Sequence, residues 1–480
     1  MSHSHHDDVT KNQSSMELQS LESTEPRKSQ ETSEQMPDSI PGCSRRSFVQ
    51  VTAAAVGATS LIGSANLSLA RSAHAFGSDT VRIGLIGAGG RGTGAVVDAF
   101  KNPSASVQLS AVGDCFGDRL ESSLETLNRQ RPDQVQVPDS QKFVGFDAYK
   151  RVIDTDCDFV ILTTPPGFRP LHFEAANQAG KHVFMEKPVA VDAPGVRRVL
   201  AAGELATQKG LIVQVGLQRR HEFAYRETIQ QLQDGIIGDL ICSRVYWNNP
   251  GVWVNPRRPE QTELEYQMRN WYYFNWICGD HICEQHIHNI DVINWLMNDY
   301  PKSAQGQGGR LVRSGKEYGQ IYDHHSVEYT YENGHKMFSM CRHMPDTWNQ
   351  VAEFVHGSEG WADISRGRIY DKNGETIFQT QAARRGYVAE HEHMFEALIE
   401  GNRPNETEYA AKSTFTSILG RLATYTGKYL NWDEAINSNI SLADVDALKS
   451  MDDQAPVLPD EEGRYPIPLP GKNLESIIDF

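Results

Sequence analysis

Val81-Arg82-Ile83-Gly84-Leu85-Ile86-Gly87-Ala88-Gly89-Gly90-Arg91-Gly92 is a short apolar run that empties into a glycine-rich turn, and a helical pattern follows from Thr93 to Phe100. A lone G-x-G-x-x-G carries little weight, but between a buried strand and a helix it reads as a dinucleotide-binding turn. Gly87 permits the tight bend, Gly89 lets the backbone approach a pyrophosphate, and Gly92 allows the helix to pack close to the strand. The helix N-terminus then offers amides and the positive end of its dipole to phosphates. A second strand, Val107 to Val112, runs into Gly113-Asp114. A carboxylate there accepts hydrogen bonds from adenosine ribose hydroxyls and repels a 2′-phosphate. With Cys115 and Phe116 next, neither of them basic, NAD is expected in preference to NADP.

Outward from that unit the alternation continues. Phe159 to Leu162, His182 to Met185 and Leu211 to Val215 read as strands, and Leu171 to Gly180 and Pro194 to Gly210 as helices. Strands alternating with helices predict an α/β fold, a Rossmann doubly wound parallel sheet over residues 78–215. Beyond Val215 the pattern changes. Leu217 opens a helix ending near Gly235, and Cys242 to Tyr246, Val327 to Tyr331, Met337 to Cys341 and Gln350 to His356 read as strands of a mostly antiparallel sheet. Residues 216–432 are expected to form an α+β substrate-binding and catalytic domain, followed by an extension over 433–480.

Two stretches go beyond a generic dinucleotide fold. Thr163-Thr164-Pro165-Pro166 follows a strand, with His172 further on, and Ala179-Gly180-Lys181-His182-Val183-Phe184-Met185-Glu186-Lys187-Pro188 closes the next. Together they resemble the glucose–fructose oxidoreductase/inositol dehydrogenase/rhizopine (Gfo/Idh/MocA) family, from about Val81 to Trp432. The resemblance implies an open sheet beside the nucleotide domain, with substrate held between the two. It assigns Gly87, Gly89, Arg91, Gly92, Asp114, Thr164, Pro165, Glu186 and Lys187 to the cofactor. Lys187, at a strand's carboxyl end, would donate to a substrate hydroxyl and stabilise developing alkoxide charge.

Gly279-Asp280-His281-Ile282-Cys283-Glu284-Gln285-His286-Ile287-His288-Asn289-Ile290-Asp291 is the main feature of the second half. On one continuous helix, Glu284, His288 and Asp291 would share a face and His286 would point away. The resemblance casts His288 as the acid/base, a task suited to a group whose ordinary pKa lies near neutrality. This chain departs from the family's D-x-x-x-H-x-x-D pattern by carrying Glu284, and it keeps only Gly279 of the usual glycine run. Either Glu284 or Asp291 is left to orient the imidazole. Asp280, His281, Cys283, Glu284 and His288 are also metal-ligand types at helical spacing, but no metal is expected because the family's chemistry does not require one. Trp271-Tyr272-Tyr273-Phe274-Asn275-Trp276, with Trp247 and Trp253 upstream, would suit the C–H faces of a carbohydrate, and core packing accounts for part of it.

The 480 residues carry 46 Lys+Arg against 62 Asp+Glu, a net charge of −16, which argues against nucleic-acid or anionic-membrane partners. The chain has no run of about 18 apolar residues that would span a membrane. Residues 1–44 are polar and expected to be disordered. Ser44-Arg45-Arg46-Ser47-Phe48, a weak apolar stretch and Ala73-His74-Ala75 resemble a twin-arginine export signal over 45–75, which implies a periplasmic destination. The six cysteines beyond the signal show no C-x-x-C and are expected as buried free thiols.

The expected activity is NAD-dependent oxidation of a CH–OH group of a sugar, glycoside or cyclitol by a homo-oligomer. A redox-neutral glycoside hydrolase using tightly held NAD and a non-catalytic sugar-binding protein on the same scaffold are the rival readings. Outside the cytoplasm no free NAD pool exists, so an exported enzyme would have to keep its cofactor. The extra closure is expected from the Arg219-Arg220 segment or from the residues after Leu458.

Overall fold

In the computed structural model, which describes residues 80–479 except Arg384 and Asn473, the apolar runs of the first half become six parallel strands. They are β1 (Thr80–Ile86), β2 (Ser106–Asp114), β3 (Lys142–Val144), β4 (Phe159–Leu162), β5 (His182–Met185) and β6 (Val213–Val215), in the order β3-β2-β1-β4-β5-β6. That is the doubly wound order, whose direction reverses between β1 and β4 and opens a crevice beyond their carboxyl ends. β4 is buried at every position, as a strand covered on both faces must be. Helices Gly90–Phe100, Gly117–Gln130, Arg169–Gln178 and Ala193–Gln208 supply the cover.

The second sheet has nine strands: β7 (Leu240–Asn249), β8 (Ser303–Gly309), β9 (His324–Thr330), β10 (Lys336–His343), β11 (Gln350–Gly357), β12 (Gly360–Asp363), β13 (Arg368–Asp371), β14 (Thr376–Gln379) and β15 (Leu430–Asn431). Their order is β14-β13-β12-β11-β7-β10-β9-β8-β15. Only β7 and β10 pair parallel, and the other neighbours are antiparallel. The helix Thr407–Thr426, buried along most of its length, packs against β8 and the Ala193–Gln208 helix. The helix Gly386–Glu400 returns to lie on Gly90–Phe100.

Two helical expectations are corrected. The stretch opened by Leu217 is a single 3-10 turn, Gln218–His221, followed by the helix Phe223–Gln233. The stretch around His288 is not one helix: His281–Glu284 ends, Gln285 and His286 turn, and Ile287–Met297 begins anew. Glu284 and His288 therefore sit on different helices. No helix among the described residues is long and apolar enough to cross a membrane. Residues 1–44 and the signal over 45–75 lie outside the described residues. All six described cysteines are free, with Cys115 and Cys242 part-exposed and the other four buried.

Candidate active site

The glycine turn is built as its spacing predicts. Gly87 holds φ of +97°, and a Cβ there would lie 2.5 Å from the Thr164 amide nitrogen. A Cβ at Gly92 would come within 2.0 Å of the Gly87 carbonyl oxygen and 2.6 Å of Thr163 Oγ1, so only glycine lets this helix approach. At Gly89 the nearest atom to a built Cβ is Arg119 Nη1 at 3.5 Å, which leaves the backbone open on that side. The helix Gly90–Phe100 starts with no side-chain cap and no acidic residue in its first turn. These features fit a pyrophosphate.

Asp114 ends β2, buried, with Oδ2 accepting from the Ala88 amide (2.7 Å) and Oδ1 from the Phe116 amide (2.8 Å). Burial raises its pKa, and the two amides oppose that rise. It thus pins the glycine turn, and it lines the cavity that opens there. Arg91 reaches Glu186 at 2.5 Å and the buried Glu390 at 3.3 Å, tying the nucleotide half to the Gly386–Glu400 helix. Thr164 Oγ1 pairs with His172 Nδ1 at 3.1 Å, and burial pushes that imidazole's pKa down to about 3.

A cavity of about 640 Å³ runs from this turn to the second sheet. Every residue assigned to cofactor or catalysis lines it except Asp291. Lys187 Nζ donates to the Glu284 carbonyl (2.6 Å) and to Glu284 Oε1 (3.1 Å), which leaves one of its three N–H groups for a ligand oxygen. The longer glutamate thus serves the lysine. His288, almost fully buried, stacks near Trp247 with ring centroids 6.1 Å apart. Its ring makes no hydrogen bond among the described residues, and its Nδ1 is buried without a partner. Burial first, then the charges of Lys187, Arg219 and Arg91, hold its pKa well below the ordinary histidine value. A neutral imidazole and an ammonium on one cavity can take a hydroxyl proton and steady the oxygen it leaves.

Asp291 is held elsewhere. Arg220 donates to both its oxygens (2.9 and 2.8 Å), and Ser413 Oγ adds a third hydrogen bond at 2.7 Å. Arg219 is likewise consumed by the buried Glu353, with Asn289 on the same carboxylate, so the Arg219-Arg220 segment does not close over the site. The metal-type residues are also divided. Among the described residues Asp280, His281 and His325 cluster within 4.8 Å, away from Glu284 and His288. Asp280 is already saturated, with Oδ1 accepting from the His281 amide and Nδ1 and Oδ2 from the Tyr322 amide and Tyr425 hydroxyl. It reads as a buried hydrogen-bond network.

Of the aromatic run, Trp271 faces the cavity beside Trp247 and Trp253, whereas Tyr272, Tyr273, Phe274 and Trp276 are core. Arg119, Gln218, Gln285 and Tyr387 line the cavity without having been foreseen. Gln285 is in the turn between two helices, where its Oε1 accepts from His343 at 2.8 Å. Tyr387 arrives on a helix far along the chain with Arg91 over its ring. No local pattern marks either.

A model described as the GFO_IDH_MocA oxidoreductase family, NAD-binding Rossmann fold, matches residues 81–217, and a GFO/IDH/MocA C-terminal domain model matches 225–363. Inositol 2-dehydrogenase of Agrobacterium fabrum is 28% identical over 242 residues, 48% of this chain and 61% of that protein. The inositol 2-dehydrogenase/D-chiro-inositol 3-dehydrogenase of Halalkalibacterium halodurans is 27% identical over 225 residues, 47% of this chain and 55% of that one. The chain therefore matches less than two thirds of the length of these relatives. Aldose-aldose oxidoreductase from Caulobacter crescentus superposes with a TM-score of 0.58 at 17% identity, covering 73% of this chain and 99% of that one. Apo scyllo-inositol dehydrogenase from Lactobacillus casei gives 0.56 at 21%, covering 74% and 99%. Both show a shared fold.

Proposed function

We propose that this chain, which belongs to the GFO/IDH/MocA oxidoreductase family and carries its NAD-binding Rossmann domain, oxidises a CH–OH group of a sugar, glycoside or cyclitol. One observation carries the reading: an unpartnered, neutral imidazole at His288 and the Lys187 ammonium line the cavity that begins at the glycine turn. NAD, when bound, supplies the hydride acceptor. His288 accepts the hydroxyl proton, and the free N–H of Lys187 holds the oxygen as negative charge develops on it. Glu284 orients Lys187 through two contacts. Trp247, which stacks near His288, offers a face for C–H groups, and Gln218 and Gln285 offer partners for hydroxyls. The relatives' names, inositol dehydrogenases, support a cyclitol within that class.

The test is a panel of sugars, cyclitols and glycosides, followed by the appearance of reduced nicotinamide. No reduction with any member of the panel would contradict the reading. The pH profile adds a sharper check. Since His288 is held neutral, kcat/KM for oxidation should stay level as pH falls from about 8 through about 6.5, and decline only well below that. A half-loss centred at the ordinary histidine value would mean that the base is not this buried group.

The twin-arginine stretch supports a further reading, export to the periplasm. Changing Arg45 and Arg46 together to Lys should leave precursor in the cytoplasm, measured by fractionation. Undiminished export would overturn it.

A further inference from the structure

We infer that residues 250–274 form a strap that holds the dinucleotide on the protein between turnovers, an inference that rests on the NAD-dependent reading above. The strap leaves the end of β7, and its residues Trp253, Asn255, Met268 and Trp271 line the same cavity as Gly89 and Asp114. Its far end is fastened to the nucleotide half beside the ribose position. Arg269, on the helix Glu263–Arg269, donates to both oxygens of Asp118 (3.0 and 3.2 Å) in the first turn of the helix Gly117–Gln130. Its guanidinium also lies 4.0 Å from the centroid of the Phe116 ring, two residues past Asp114. A second cavity of about 270 Å³ lies behind this clamp, and it shares Arg119 and Asn255 with the main one. The strap thus roofs the adenosine end of the site.

Loop composition alone would let such a segment swing, but this one is braced from within and from behind. Asn255 bonds Asn270 (2.9 Å) and the Arg269 carbonyl (2.6 Å), and the Tyr273 hydroxyl donates to the Trp253 carbonyl at 3.0 Å. The C-terminal extension supplies the backing. Thr262 Oγ1 donates to the Met451 carbonyl at 2.5 Å, Gln267 Nε2 to the Val457 carbonyl at 2.6 Å, and the Tyr465 hydroxyl to Glu263 at 2.5 Å. Phe116, Leu264, Tyr266, Met268, Leu448 and Tyr465 are buried in one apolar cluster. The extension is itself anchored to the nucleotide half, where Asp446 pairs with Arg198 at 2.7 Å and the Leu442 amide donates to Asp192 at 2.9 Å. A half-exposed ion pair alone contributes little. Here the pair and the ring contact join the braced strap to the nucleotide half at the cavity edge, so release of a bound dinucleotide has to wait for this clamp to open.

The test uses the full-length protein and reads dinucleotide rather than turnover. After exhaustive dialysis, denatured wild-type protein should release NAD at close to one per chain, quantified by mass spectrometry and absorbance. A chase of isotopically labelled bound NAD with unlabelled NAD should show release accelerated about tenfold or more in Arg269→Ala, since loosened contacts act chiefly on dissociation rates. Asp118→Asn, at an exposed position that leaves the core untouched, should accelerate release in the same direction and decides the matter if Arg269→Ala does not fold. Wild-type protein that emptied on dialysis, or folded variants that released at the wild-type rate, would overturn the strap. A chain that kept NAD but oxidised nothing would contradict the proposed activity alone.

Discussion

His288→Ala should lower turnover by a factor of about 10² or more while dinucleotide content stays at the wild-type level. The side chain makes no hydrogen bond to a described residue, so its loss breaks no network, and any fall in rate reports on chemistry. Lys187→Ala should fall by a similar factor, but for another reason. Removing the ammonium takes away the donor to the reacting oxygen and also releases Glu284 from its salt bridge. Glu284→Gln separates the two effects, because it keeps a hydrogen-bonding group beside Lys187 without the charge, and it should cost less than either. Wild-type turnover in His288→Ala or Lys187→Ala would remove that residue from the mechanism.

Gly92→Ala is the second large effect. A Cβ at this position would lie 2.0 Å from the Gly87 carbonyl oxygen, so the helix must move off the turn or the turn must open. Overpacking of this kind costs about 3 kcal/mol of stability. The displaced helix N-terminus should weaken NAD binding about a hundredfold, equivalent to about 2.8 kcal/mol. Calorimetric titration of folded, emptied protein with NAD checks it. Binding at wild-type strength would mean that the glycine spacing is not what brings the helix amides to the phosphates.

The nucleotide half was legible because its signals are local. Strand, glycine spacing and helix follow within a dozen residues of Val81, and the register of β1 on β2 and β4 comes from apolar runs that must be covered on both faces. Lys187 and His288, the two residues proposed for the chemistry, each sit in a short motif, and both line the cavity. Asp291 was misplaced because the shared-face argument assumed one unbroken helix. The turn at Gln285–His286 rotates Ile287–Met297 away from His281–Glu284, and Arg220, seventy-one residues earlier, holds the carboxylate. The Arg219-Arg220 segment was one expected source of closure over the cofactor, but both guanidiniums are internal ties, to the buried Glu353 and Asp291. The strap and its C-terminal backing depend on contacts such as Thr262 to Met451, across 189 positions. No local periodicity encodes such a contact.

The central claim is that hydride passes from a substrate carbon to the nicotinamide of a dinucleotide whose pyrophosphate sits at the glycine turn, with His288 taking the proton. The most direct measurement mixes the protein, its NAD sites filled, with a cyclitol or sugar deuterated at its carbinol carbons. The reaction is quenched within one turnover and the dinucleotide weighed by mass spectrometry. The account predicts one deuterium per reduced dinucleotide in the wild type and almost none in His288→Ala at the same time point. A substrate that is converted while the dinucleotide stays free of deuterium would contradict it.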